Sequence, residues 1–182
     1  TVLAEAIFLE GLKYLTAGKL AEGIMDQVRD QLGMTEELTG KGFGSSSNPL
    51  LVSVRSGSAM SMPGMMDTIL NLGLNADTLH GLITQSGDER FGYDAYRRFI
   101  QLFGKVALNV PDELFDAQFD AVKRSSGVSG DLDLSAADLH DICGRFLKVV
   151  EEHTGRPFPA DPYQQLDIAS KAVFGSWTGK RA

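Results

Sequence analysis

Between residues 89 and 109 the chain reads ERFGYDAYRRFIQLFGKVALN, and Phe91, Tyr93, Tyr96, Phe99, Ile100 and Phe103 fall there at helical spacing. This spacing predicts one long amphipathic helix over Glu89 to Asn109, with its large groups on one side. Such a face needs other apolar faces to cover it, and the second part of the chain supplies them. Val110-Pro111 breaks the helix, and Asp112 to Lys123 follows as another, with Leu114, Phe115, Phe119 and Val122 directed inward. Ser135-Ala136-Ala137-Asp138 has the form of a capping box, and Leu139, Ile142, Cys143, Phe146 and Val150 make the stripe behind it. A final helix from about Pro162 to Trp177 carries Leu166, Ala169, Val173 and Trp177 on one face. Residues 75–182 therefore read as a helical unit.

The part before residue 75 has a different texture. Ala4 to Leu15 and Ala21 to Leu38 read as helices, the second stopped by Thr39-Gly40-Lys41-Gly42. After the polar connector at 44–49 comes LLVSV, Leu50 to Val54, a strand expected to be buried on at least one face. Ile69 to Leu74 alternates apolar residues with polar ones or glycine and is a weaker strand candidate. The fold class is thus α+β and mainly α.

Between the two strands stands SVRSGSAMSMPGMMD, residues 53–67. A glycine-bearing loop leaving a strand can bring backbone N–H groups close to an anion, and Arg55 would add a fork of donors suited to phosphate oxygens. The stretch has neither the G-x-x-x-x-G-K-[ST] spacing of a helix-opening phosphate loop nor G-x-G-x-x-G. Read from physics alone, it is equally a connection whose arginine pairs with an acid and whose methionines fill gaps in the core.

Composition excludes several other classes. Seventeen Lys and Arg against 24 Asp and Glu give a formal charge of −7 with no basic block, which argues against nucleic acid or an anionic membrane as partner. No apolar run approaches the roughly 18 residues that span a bilayer, and no charged-then-apolar signal segment opens the chain. The one cysteine, Cys143, provides neither a disulfide nor a thiolate metal cluster, suits a reducing cytoplasm, and is expected in the core. His80, His140 and His153 are scattered without metal-ligand spacing, so they are assigned to the surface or to caps. Arg97 and Arg98 are expected on a solvated or ion-paired face, with docking of a moving domain as the lesser reading. Lys41, flanked by glycines, reads as a flexible helix exit with a phosphate contact as the alternative, and Asp67 as a turn cap with metal proximity as the alternative. The chain opens at Thr1 without methionine, which suggests an excerpt of something longer.

The run NPLLVSVRSGSAMSMPGMMDTILNLGLN, residues 48–75, closely resembles the signature segment of the pyruvate, phosphate dikinase family. ERFGYDAYRRFIQLFG, residues 89–104, resembles the family's next segment at the same distance, and a more diffuse similarity runs from about Tyr14 to Ala182. The related phosphoenolpyruvate synthases lack the SMPGMMDT run.

The resemblance implies that residues 1–74 are a partial N-terminal ATP-grasp subdomain and residues 75–182 a helical subdomain inserted within that fold. It implies ATP as ligand and Mg²⁺ as cofactor, with Arg55 on the nucleotide phosphates. The loop over them would be Ser61 to Thr68, comprising Ser61, Met62, Gly64, Met65, Met66, Asp67 and Thr68. It further implies a phosphotransferase that loads a carrier histidine from ATP and inorganic phosphate on the way to phosphoenolpyruvate. The whole enzyme would be a cytoplasmic homodimer containing a mobile phosphohistidine domain and a third subdomain. An upstream G-G-K-G lysine, the acidic Mg²⁺ ligands and a second arginine have no counterpart in these 182 residues. No residue here is therefore assigned as catalytic or metal-binding, and the isolated chain is expected to be inactive. The competing reading is a non-catalytic helical interaction or regulatory module that retains an ATP-site loop.

Overall fold

A computed structural model describes residues 23–55 and 68–176. Helix α1 (Ile24–Thr39) ends at Gly40, whose φ of 65° lets its N–H return to the Glu36 carbonyl. Two short strands follow, β1 (Gly42–Phe43) and β2 (Pro49–Leu50), paired in parallel. β3 (Val52–Arg55) and β4 (Thr68–Leu72) pair antiparallel as a second two-stranded sheet. Thereafter the chain is helical: α2 (Ala76–Ser86), α3 (Glu89–Ala107), α4 (Asp112–Ser126), a 3₁₀ turn (Asp131–Asp133), α5 (Ala136–Thr154) and α6 (Pro162–Ser176). Helices dominate and strands are few, as the residue pattern predicts. The helix expected at Ala4 to Leu15, and Trp177, lie outside the described residues.

Side-chain caps set several of the helix starts. Asn75 accepts from the Thr78 N–H while the Thr78 hydroxyl accepts from the Asn75 N–H, and Ser135 and Asp138 make the same reciprocal pair at α5. α3 packs against α2, α4, α5, α6 and β4, and so serves as the central rod. Phe99, Ile100 and Phe103 on its inner face are fully buried with Phe115, Ile142 and Phe146 of α4 and α5. Phe115 and Phe146 meet edge-on at 5.0 Å, and Phe158, from the connection between α5 and α6, stands edge-on to Phe99 (5.6 Å) and Phe103 (5.2 Å). The same buried cluster continues through Ile69, Leu72 and Leu74 to Leu50, Phe43 and Leu32.

The structure corrects the expectations at four places. LLVSV is not one strand: Leu50 closes β2, and the run resumes in the other sheet at Val52. Leu114 on α4 is exposed, because the buried stripe of that helix is Phe115 and Val122. Phe91, in the first turn of α3, is likewise exposed, while its neighbour Gly92 faces Ile83 and Leu79 of α2. α4 also runs to Ser126, three residues past Lys123, before Gly127 caps it.

Candidate functional site

The sheet of β3 and β4 brackets the segment 56–67. Its register pairs Arg55 with Thr68, then Val54 with Ile69, then Val52 with Leu72. Between the last two pairs one residue of β3, Ser53, thus faces two of β4, Leu70 and Asn71, which is a bulge. Asn71 takes it up with φ of 60°, in the left-handed region that asparagine tolerates better than most residues. A regular strand would send Ile69 and Leu72 to opposite faces. The bulge turns both into the core, each fully buried, and leaves Leu70 48% exposed. Strict alternation over Ile69 to Leu74 would have grouped Leu70 with Leu72 and Leu74, so the bulge decides what the sequence left ambiguous.

Facing residues on paired strands share a side of the sheet. Val54 lies with Ile69 toward the helices, and Arg55 lies with Thr68 on the opposite side, where Ser53 and Leu70 are also exposed. Among the described residues Arg55 forms no ion pair, so its guanidinium is not consumed by an internal acid there. Of the sequence-predicted site residues, Arg55 and Thr68 are brought together as the last pair of the ladder. Ser61, Met62, Gly64, Met65, Met66 and Asp67 lie outside the described residues.

The other end of β4 is held by side chains. The Gly73 N–H donates to Gln165 Oε1 at 3.0 Å, and Gln165 Nε2 donates to the carbonyls of Leu74 and Pro159, both at 2.9 Å. The Thr78 hydroxyl donates to the Gly73 carbonyl at 2.8 Å, and Asn75 Nδ2 to that of Ala160 at 2.9 Å. Gln165 and Thr78 are both wholly buried. Neither was singled out from the sequence. A signal existed, because Gln165 falls four and eight residues before Ala169 and Val173, a polar residue on an apolar stripe.

The remaining candidates take structural places. Asp94 binds Arg97 (2.7 Å) and Arg98 (2.9 Å), and the Arg97 guanidinium lies 4.8 Å from the Phe119 ring centre. The pair is thus an ion-paired face. His80, His140 and His153 are exposed, with His140 tilted against Tyr93 at 4.9 Å. Lys41 is exposed just after α1. Cys143 is buried and free, and desolvation pushes its thiol up to about 12, which keeps it protonated and unreactive. Three surface carboxyls sit below their ordinary range through hydrogen bonds: Asp112 from Lys105, Asp131 from Lys123, and Asp138 from Ser126 and Ser135. Among the described residues no group of three His, Cys, Asp or Glu side chains is placed to hold a metal ion. No helix among them is long and apolar enough to cross a membrane.

No protein-family model matches the chain. It is 54% identical over 164 residues to a pyruvate, phosphate dikinase of Entamoeba histolytica, which covers 90% of this chain and 18% of that protein. Over 171 residues it is 47% identical to the pyruvate, phosphate dikinase of Giardia intestinalis, covering 94% of this chain and 19% of the relative. A chloroplastic pyruvate, phosphate dikinase of Zea mays is 46% identical over 171 residues, covering 93% and 18%. The chain therefore spans less than a fifth of the length of these relatives.

Proposed function

We propose, from this chain's homology to a segment of the pyruvate, phosphate dikinase family, that it forms one wall of that enzyme's ATP site. The observation that carries the reading is the register pair Arg55 and Thr68. It ends the ladder on the sheet face turned away from the helices, at both roots of the glycine- and methionine-bearing segment 56–67. In this reading Arg55 supplies a fixed charge and a donor fork to the nucleotide phosphates. Ser61, Met62, Gly64, Met65, Met66, Asp67 and Thr68 make the loop over them. Residues 1–74 act as a partial ATP-grasp subdomain and residues 75–182 as the helical subdomain that supports it.

The metal accompanying ATP is assigned, on the family resemblance, to the third subdomain. That subdomain and a mobile phosphohistidine domain would complete the enzyme, in which the carrier histidine is loaded from ATP and inorganic phosphate and then serves phosphoenolpyruvate formation. Phosphoryl transfer depends on positioning and on electrostatics from both sides of the nucleotide. The isolated chain is accordingly proposed to hydrolyse no ATP and to bind Mg-ATP weakly.

Arg55→Ala in the full-length enzyme tests the assignment. Loss of a charge-assisted phosphate contact, worth about 1.5 to 3 kcal/mol, should slow ATP-dependent loading of the histidine by roughly ten- to a hundredfold. Exchange between the phosphohistidine and pyruvate should keep its rate, since it uses another site. Arg55 is exposed, so a folding defect is not expected from its loss. Unchanged loading by ATP would refute the proposal and favour the non-catalytic module.

A further inference from the structure

Where α3, α4 and the 3₁₀ turn meet, cations outnumber the acids that pair with them. Arg97 and Arg98 of α3 share one carboxylate, that of Asp94: Arg97 reaches it through Nε (2.9 Å) and Nη2 (2.7 Å), Arg98 through Nε (2.9 Å). One negative charge thus serves two guanidiniums. Lys123 of α4 pairs with Asp131 of the turn at 2.6 Å. Arg90 donates to the carbonyls of Leu134 (2.9 Å) and Asp131 (3.1 Å), and among the described residues no acid pairs with it. Asp133, in the same turn, accepts from the Gly130 N–H instead. The cluster therefore sets four cations against two paired acids, in a chain whose formal charge is −7.

Asp131 fills this cluster incompletely. The Lys123 hydrogen bond holds its carboxyl below the ordinary range, and Arg97 and Arg98 add their fields. Neither guanidinium lies within ion-pair distance of it, so the carboxylate reaches one of the three cations that act on it. The cations are the fixed part of the arrangement. The Arg97 side chain is 11% exposed and stands 4.8 Å from the Phe119 ring centre, and that of Lys123, 20% exposed, stands 5.7 Å from the same ring. Asp131 is 60% exposed on a three-residue turn whose backbone Arg90 holds. Rotation of that one side chain uncovers the cations while the turn stays in place. A carboxylate offers two oxygens and one charge, whereas a phosphate group offers three oxygens and up to two charges, and so suits three donors better.

We propose that Lys123, Arg97 and Arg98, arranged about the Phe119 ring, form a binding site for a small phosphate-type oxyanion, and that Asp131 occupies it as an internal competitor. The anion displaces the Asp131 carboxylate from Lys123 and takes its remaining donors from the Arg98 guanidinium, of which only Nε is engaged among the described residues, and from Arg97. None of these residues belongs to the ATP-site reading, so the two stand or fall separately.

Binding of radiolabelled sulfate to the full-length enzyme, measured by equilibrium dialysis at constant ionic strength, tests the site. Asp131→Asn removes the internal carboxylate and should tighten sulfate roughly tenfold. Lys123→Met keeps an apolar stem beside Phe119 and should weaken sulfate roughly tenfold, in the native and the Asp131→Asn backgrounds alike. The opposite signs are diagnostic, because an ion pair that serves structure alone is broken equally from either side. Arg98→Gln, on an exposed side chain, should weaken sulfate as well and replaces Lys123→Met if that variant folds poorly. Selenate soaked into crystals of Asp131→Asn should scatter anomalously between Lys123 and Arg98. Inorganic phosphate and glycerol phosphate, each competed against sulfate, separate the two sources of the ligand: displacement by both assigns the site to phosphate esters, and displacement by inorganic phosphate alone assigns it to the free ion. Displacement by neither overturns the proposal, as does an Asp131→Asn variant that binds sulfate no more tightly or a cation variant that binds it no more weakly. Selenate at the cluster without measurable affinity in dialysis would mark an adventitious ion only, and would overturn it equally.

Discussion

The helices from Ala76 to Ser176 and the strands that precede them are held by different means. Within the helices the backbone N–H groups beyond the first turn find carbonyls four residues away, and side chains are left free to pack: Phe99, Phe103, Phe115 and Phe146 are fully buried. In the strand region the backbone depends on distant partners. β1 and β2 are two residues each, β3 and β4 form a pair, and the link from β4 to α2 is satisfied by Gln165 and Thr78. A two-stranded sheet is marginal by itself, so β3 and β4 persist because they lie on α3 and α6, and β1 and β2 because they lie against α1 and α2. The lesson is that the region nearest the candidate site takes its shape from the helices behind it, through hydrogen bonds whose partners no local pattern names.

This contrast can be broken most forcefully at its aromatic centre. Phe146→Ala deletes a ring that meets Phe115 at 5.0 Å with no access to solvent, and should cost about 3 to 5 kcal/mol. Leu70→Ala, on the exposed face of β4, should cost under about 1 kcal/mol. Urea denaturation of both variants makes the comparison, and similar losses would mean that the strand face is as tightly packed as the helical core.

Amide exchange sharpens the same point without mutation. Amides around Phe99 and Phe146 should open only with the whole chain, whereas those of Val52 to Arg55 should open by at least roughly 2 kcal/mol more easily. Equal or slower exchange in β3 would show that its two-stranded sheet is not the weaker element.

A smaller effect is expected at the joint between the regions. Gly73→Ala places a methyl at φ of 101° against the Phe43 ring, a strain of about 1 to 3 kcal/mol. Because β4 would bear it, tryptic cleavage within 51–74 should accelerate before cleavage within α5. Simultaneous acceleration at both places would mean the two regions open as one unit.

The smallest effect concerns pH and belongs to the helical surface alone. Asp112, Asp131 and Asp138 have folded-state pKa values below those of free aspartate. A group lowered in this way contributes stability that is whole above its unfolded pKa of about 3.9 and is lost as pH falls through the folded value. The Tm should therefore drop as pH falls below about 4, and Ser126→Ala, which removes a hydrogen bond to Asp138, should shallow that drop. An unaltered slope would show that the Ser126 bond does not stabilise the carboxylate.

How much of this was legible in advance follows the same division. Ser135 and Asp138 announced the start of α5, and Leu139, Ile142, Cys143, Phe146 and Val150 announced its buried face, because cap and stripe are both local to one helix. The 48–75 run and the 89–104 run announced kinship with the pyruvate, phosphate dikinases, and with it Arg55 as a candidate. Phe158 was illegible, since it reaches Phe99 and Phe103 from a connection with no period of its own.

The sequence by itself determined, among the described residues, the helices from α2 to α6 and most of the faces they bury, Leu114 and Phe91 excepted, and that two strands flank residues 56–67, since each follows from spacing within one segment. Only the tertiary structure decided that Leu50 and Val52 belong to different sheets, that a bulge at Asn71 turns Ile69 and Leu72 inward together, and that Gln165 holds Gly73. Those outcomes depend on which distant groups satisfy a strand's backbone. A 3.6-residue period satisfies its own N–H and C=O groups within the segment, whereas a strand leaves them open to whatever the rest of the fold brings within reach.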